Sequence, residues 1–291
     1  HDSTAAGFIV KYDNFTIAHS KNSEENIGNE TLQVNVLDGD SSTTAAEYQF
    51  KFDGGSVTPI IAYTSDGTTA NEDILGLGLA GQFQLGPVAL KGEFDYFDGD
   101  RDATYSGVSN TFTDNEADLK GTQVFLDASM AATDTVKVGA QFLWADSVDD
   151  DEVQVTSLTD DFRTDWAFVD FMPQNLGNAD FAINDNFDIF DPAKFYGVQG
   201  QGSMAFGLYA DVKATEDLTL NFGGWYFQTD EDKYLDMDGY FLNAKASYKL
   251  MANTTLSSHL LYQSFDVDFG GGDDATDDAL GLITSQIGRA S

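Results

Sequence analysis

Apolar and polar side chains alternate residue by residue in this chain, over runs of ten or more positions, and that period of two restricts it to long β-strands. In 73–85 one face reads Leu75, Leu77, Leu79, Gly81, Phe83, Leu85 and the other Gly76, Gly78, Ala80, Gln82, Gln84. In 87–97 Val88, Leu90, Gly92, Phe94 and Tyr96 oppose Ala89, Lys91, Glu93, Asp95 and Phe97. Segment 134–145 sets Val136, Val138, Ala140, Phe142 and Trp144 against Lys137, Gly139, Gln141 and Leu143. Segment 238–250 sets Tyr240, Leu242, Ala244, Ala246, Tyr248 and Leu250 against Phe241, Asn243, Lys245, Ser247 and Lys249. The same pattern fits 6–12, 14–20, 44–53, 55–64, 117–131, 202–213, 217–229, 253–265 and 277–289. That makes about 13 strands, by the roughly 10-residue span each needs.

The connections alternate in length. Tight turns fall at Asp53-Gly54-Gly55, Leu85-Gly86-Pro87, Ala132-Thr133-Asp134, Ala214-Thr215-Glu216 and Met251-Ala252-Asn253, all with hairpin turn residues. Between them lie long acidic connections: 21–43, 65–72, 98–116, 146–199, 230–237 and 268–276. Short turns on one side and long loops on the other describe an up-and-down barrel with periplasmic turns and extracellular loops. Both the first and the last strand run toward the turn side, and single-chain barrels have even strand numbers, so a strand is expected before the first; the whole barrel would then hold about 14–18.

Composition narrows the function. There are 49 acidic and 14 basic residues, a net charge of −35. Such a surface repels nucleic acid and attracts cations. With 13% aromatic and 42% hydrophobic residues the chain is a folding one. It has no cysteine, and His1, His19 and His259 stand at no metal-ligand spacing. No run of about 18 apolar residues exists, so no helix spans a bilayer; barrel strands escape that test.

A soluble β-sandwich alternates too, with its apolar face turned to a core. Three features favour lipid on the apolar face. The strands are longer than the usual 5–6 residues. The polar faces are small as well as charged (Gly76, Gly78, Gln82, Ser129, Asn221, Gly223, Ser257). The aromatics band near strand ends: Tyr63, Tyr96, Trp144, Tyr226 and Tyr262 toward the long loops, Phe50, Phe52, Phe83, Phe222 and Tyr248 toward the turns.

The run Leu75–Asp98, with outward Leu, Phe and Tyr and inward Gly, Gln and Glu, and the run Ser203–Thr229, SMAFGLYADVKATEDLTLNFGGWYFQT, resemble Gram-negative outer-membrane porins, particularly deltaproteobacterial ones. The resemblance implies an all-β transmembrane antiparallel up-and-down barrel, one domain over 1–291, in the bacterial outer membrane. It implies a passive channel for ions and small hydrophilic solutes, in contact with lipid and lipopolysaccharide, a homotrimer, with no enzyme activity and no nucleic-acid partner. The ending Ile287-Gly288-Arg289-Ala290-Ser291 departs from the terminal aromatic usual in such barrels. The alternatives are a barrel sheathing a partner such as an electron-transfer cytochrome, and a soluble β-rich binding protein.

Segment 148–199 has no turn rhythm and is rich in aromatics, so it is either a loop folded into the barrel, as the resemblance implies, or one packed outward on neighbouring loops or subunits. In a constriction its charged members are Asp160, Asp161, Arg163, Asp165 and Asp170. The facing wall would carry Glu47, Lys51, Lys91, Glu93, Asp95, Lys120, Asp127, Lys137, Tyr209, Asp211, Lys213 and Lys245. With Arg101, Arg163 and Arg289 the only arginines, the porin arginine cluster is absent or made of lysine, and a cation-preferring pore follows. Lys51, Lys137, Lys213 and Lys249 lie near tight turns, forming either a basic ring at the periplasmic mouth or local pairs with turn acids. Acid runs such as Asp98, Asp100 and Asp102 are weak Ca²⁺ candidates, without the EF-hand pattern. Ser257 and His259 share a face without nucleophile–base geometry.

Overall fold

The computed structural model describes residues 6–24, 40–66, 72–106, 111–149, 151–155, 201–229, 236–268 and 274–288. These hold fifteen strands and no helix: β1 Ala6–Tyr12, β2 Phe15–Glu24, β3 Asp40–Tyr48, β4 Phe50–Phe52, β5 Gly55–Asp66, β6 Glu72–Leu85, β7 Val88–Ser106, β8 Thr111–Ala131, β9 Val136–Ala145, β10 Glu152–Gln154, β11 Ser203–Lys213, β12 Leu218–Thr229, β13 Asp236–Met251, β14 Thr254–Asp268 and β15 Asp274–Gly288. Thirteen follow one another as hydrogen-bonded neighbours in chain order, from β1 to β15; β4 continues β3 in the same register on β5, and β10 pairs with β8. The thirteen strands read from alternation are these thirteen.

Several connections are shorter than the sequence suggests. Of 98–116, β7 takes the residues up to Ser106 and β8 begins at Thr111; β2 reaches Glu24 and β3 starts at Asp40. Acidic sequence hides these extensions. A hairpin ladder is made by main-chain groups, and where both faces meet water it tolerates charge on every residue.

The turns repeat one local design. Ala132 N–H donates to Val136 O (2.8 Å), and the Thr133 hydroxyl accepts from the N–H groups of Thr135 (3.2 Å) and Val136 (3.1 Å). At the next such turn Ala214 N–H donates to Leu218 O (2.9 Å), and the Thr215 hydroxyl accepts from Asp217 (3.2 Å) and Leu218 (3.0 Å). A threonine hydroxyl thus satisfies the main-chain donors that a tight reversal leaves over.

The described strands fall into two compact units. One comprises 1–82, 93–123 and 148–164; the other comprises 83–92, 124–147 and 165–291. In each, burial follows the alternation with inverted polarity. Along β11, Ser203, Ala205, Gly207 and Tyr209 are buried, whereas Met204, Phe206 and Leu208 are 36%, 50% and 58% exposed. Along β6 Leu75, Leu77 and Leu79 are exposed while Ile74, Gly76 and Ala80 are buried. Tyr63, Tyr96 and Tyr226, and Phe50, Phe52, Phe222 and Tyr248, all lie on the exposed side. A water-soluble sheet would hide the leucines and display the serines; here the small and polar face is the buried one.

If lipid covers the exposed face, Leu208→Lys, at the middle of β11, destabilises the protein in bilayers by about 2–4 kcal/mol. Urea unfolding in lipid vesicles measures this. A Leu208→Lys protein as stable as the parent would mean that water, not hydrocarbon, meets this face.

Candidate functional site

The polar face of the second unit is built in rows, because antiparallel partners point the same way across strands about 4.7–4.9 Å apart. One row reads Lys137, Asp211, Asn221, Lys245, His259 across β9, β11, β12, β13 and β14. In it Asn221 Nδ2 donates to Asp211 Oδ1 at 2.7 Å. The row nearer the long connections holds Gly139, Tyr209, Gly223 and Asn243, and the next Gln141, Gly207, Trp225 and Phe241. From this last row onward the face turns apolar, with Phe227, Phe241 and Phe265 in ring contact at centroid separations of 5.1–5.3 Å.

A buried hydrogen-bond chain ties four strands together. Trp225 Nε1 donates to Gln141 Oε1 (3.0 Å), Gln141 Nε2 donates to Asp127 Oδ2 (3.0 Å), and the Tyr209 hydroxyl donates to the same carboxylate (2.9 Å to Oδ2). An indole N–H can only donate, so it fixes which end of the Gln141 amide faces Asp127. The acid is buried but holds two donors, which offsets its desolvation.

Glycines make room for these rings. A Cβ at Gly207 would stand 1.9 Å from the Trp225 ring, and one at Gly223 would stand 2.2 Å from it; a Cβ at Gly139 would lie 2.2 Å from the Tyr209 ring. Trp225 and Tyr209 therefore lie flat along the sheet over bare backbone. Lys137 Nζ sits 5.7 Å from the Tyr209 ring centroid.

In the first unit Ala62, Ile74, Phe97, Leu119 and Val155 form a buried cluster. Val155 belongs to the start of the long connection. There Glu152, Val153 and Gln154 run parallel to Asp118, Leu119 and Lys120 of β8, and Val155 N–H donates to Lys120 O at 2.7 Å. A Cβ at Gly121 would stand 2.0 Å from the Val155 carbonyl oxygen. The described start of the connection, 152–155, is thus bonded back along β8, with Val155 packed into that apolar cluster.

Of the residues singled out from sequence, Glu47, Lys51, Glu93 and Asp95 lie on the polar face of the first unit; Glu93 is buried, and a Cβ on Gly78 would stand 2.9 Å from Asp95 Oδ1. Lys91, Asp127, Lys137, Tyr209, Asp211, Lys213 and Lys245 share that face in the second unit. Lys120 does not. The buried face of β8 runs through Leu119, Gly121, Gln123, Phe125, Asp127 and Ser129, and Lys120, seven residues before Asp127, falls on the opposite face. There it pairs with Asp98. Asp160, Asp161, Arg163, Asp165 and Asp170 lie outside the described residues. Asp98, Asp100 and Asp102 follow one another on one side of β7, about 7 Å apart by strand geometry; among the described residues no three acids or histidines are grouped to hold a metal ion. Arg101 bonds Glu72 through Nη2 (2.5 Å) and Nε (2.6 Å). Ser257 Oγ stands 3.1 Å from Ser247 Oγ.

No family model matches the chain, and no curated protein matches it. Solved structures do. OpdL of Pseudomonas aeruginosa is 13% identical over 98% of this chain and 71% of its own, with a TM-score of 0.53. The outer-membrane-expressed OmpT of Vibrio cholerae is 12% identical over 98% and 80%, with a TM-score of 0.52. The outer membrane channel DcaP of Acinetobacter baumannii is 11% identical over 96% and 72%, with a TM-score of 0.50. The likeness is one of fold, the antiparallel up-and-down β-barrel of outer-membrane proteins.

Gly207→Ala drives a methyl into the Trp225 ring and breaks its bond to Gln141, at a cost of about 1–3 kcal/mol. With Trp144 and Trp166 replaced by phenylalanine, the remaining tryptophan emission should move to longer wavelength and become open to acrylamide quenching. Emission unmoved in Gly207→Ala would show that the ring does not rest on this glycine.

Proposed function

We propose that this chain is an outer-membrane porin, a passive diffusion channel for ions and small hydrophilic solutes that prefers cations. It sits in outer-membrane lipid and lipopolysaccharide and, as the porin resemblance implies, assembles as a homotrimer. The observation that carries this reading is the inverted polarity of the strands, with leucines and aromatics exposed and a polar row such as Lys137-Asp211-Asn221-Lys245-His259 on the other face. Lipid demands that every main-chain polar group be paired within the protein, which leaves a closed barrel as the only strand-built way across. A barrel with its polar face inward encloses water. One of the similar proteins, DcaP, is an outer membrane channel, in line with this use of the fold.

Two observations support finer points. The first is the root of the long connection. Its bonding to β8 and the seat of Val155 over Gly121 favour a connection that narrows the pore over one packed outward. The second is charge. Connection 146–199 alone carries thirteen acids against Arg163 and Lys194, so the solution at the long-connection mouth is enriched in cations.

In planar bilayers the purified protein should give discrete conductance steps, and in a salt gradient a reversal potential of the cation-selective sign. Anion selectivity would overturn the ion preference; absence of conductance would overturn the channel. Gly121→Leu, which removes the seat of Val155, should raise single-channel conductance if the connection narrows the pore. Unchanged conductance in a folded Gly121→Leu protein would place the narrowing elsewhere.

A further inference from the structure

The polar row of the second unit ends on a histidine. His259 of β14 stands in register directly opposite Lys245 of β13, so both side chains share one face at cross-strand distance. The Nε2 atom of His259 is buried and has no hydrogen-bond partner. In the next row toward the short turns, the Ser247 and Ser257 hydroxyls bond each other at 3.1 Å. On the other side, β15 sets Ile283 in register with His259, between Gly281 and Ser285, none of them titratable. Beyond Lys245 the row continues to Asn221, whose Nδ2 donates to Asp211 Oδ1. For two rows either way, the charged residues on this face of β13, β14 and β15 are Lys245, Lys249 and His259 itself, and no carboxylate is among them.

A neutral imidazole adds no charge to this stretch of wall. A protonated one has no carboxylate on the neighbouring strands to answer it, so its charge adds to that of Lys245. Fixed charges on a face bounded by low-dielectric protein and lipid set the local concentration of mobile ions. Histidine is the side chain whose ordinary titration falls within the physiological range. The chain has three, of which His1 lies outside the described residues. His19 stands on the exposed face, in register with the exposed Phe8 and with its Nδ1 2.9 Å from Thr44 Oγ1. Among the described residues, His259 is thus the histidine of the polar face.

We propose that His259 is a proton-operated control on ion selectivity. When its second ring nitrogen takes a proton from solution, a new positive charge stands beside Lys245, and this part of the polar face turns against cations and toward anions. Loss of the proton reverses the change. The inference rests on the channel reading above, and not on which ion the channel prefers at neutral pH. One added unit charge about 7 Å from the ion path, through water at ~0.1 M salt, changes the cation-to-anion permeability ratio about threefold.

The test is the reversal potential of single channels in a salt gradient, read from about pH 8 to about pH 5, where an imidazole gains its proton and most carboxylates keep their charge. The wild-type permeability ratio should fall about threefold toward acid pH. H259Q should hold the alkaline wild-type ratio throughout, and H259K should hold the acid one. H19Q should fall as the wild type does. A wild-type ratio that stays flat overturns the histidine proposal while leaving the channel intact. So does an H259Q channel whose ratio falls as far as the wild type's, or an H19Q channel whose ratio does not fall. Absence of any conductance overturns both readings. Should H259Q fail to fold, H259K decides, and a ratio in it that falls with the wild type's overturns the proposal.

Discussion

Main-chain hydrogen bonding in register is the constraint on which the rest of this molecule depends. A strand that faces hydrocarbon has no water to satisfy its amides, so each N–H and C=O must find the next strand. The described ladders do this with few interruptions. β14 pairs β15 from Thr254 opposite Gly288 to Asp268 opposite Asp274, and β11 pairs β12 from Ser203 opposite Thr229 to Lys213 opposite Thr219. Register shifts at Lys21/Ser23 and Lys249/Met251 fall near strand ends. A slip of one residue would turn Leu208 to the polar face and Tyr209 to the exposed one, so register and side-chain polarity enforce each other.

That constraint leaves the polar face a packing problem. A sheet fully bonded along both edges has only its faces to fill, and rings as large as Trp225 would crowd a water-filled space if they projected into it. Glycine solves this locally. Gly207 and Gly223 lie beside Trp225 on β11 and on β12 itself, and Gly139 lies beside Tyr209 on β9. The rings close over backbone that would otherwise be open, and their polar atoms remain free to bond along the wall. The chain from Trp225 through Gln141 to Asp127 and Tyr209 then holds β8, β9, β11 and β12 by side chains as well as by main chain.

How much of this can be read in the sequence follows from what each feature depends on. Alternation is local, so the strands, the short turns and the two faces of 73–85, 87–97, 134–145 and 238–250 are legible from residue order alone. Strand ends are less so, because acidic residues such as Asp100 and Asp102 look like loop whether or not they pair. Lys120 shows the cost of reading charge before parity. Asp127 and Lys120 cannot share a face of one regular strand, and their spacing of seven is enough to say so. The seat of Trp225 escapes the sequence for another reason. Its odd-numbered frame with Asn221 and Gly223 places it on the polar face beside Gly223, but its second glycine, Gly207, is set by the register between strands, which one sequence does not contain. The return of Val155 onto Gly121 is a non-local contact of the same kind.

Net charge is the coarsest of these readings, and the structure divides it. A total of −35 suggests a molecule that repels anions everywhere. Yet on the polar face of β9, β11 and β13 lysines and acids stand side by side: Lys137 is opposite Asp211 in register, and Asp211 and Asp127 accept hydrogen bonds from the neutral groups of Asn221, Gln141 and Tyr209. Fields in a narrow, low-dielectric surround are set by the nearest unscreened charges, not by the sum over the chain. A selectivity argued from composition alone therefore says nothing of which charges stand beside one another along the polar face.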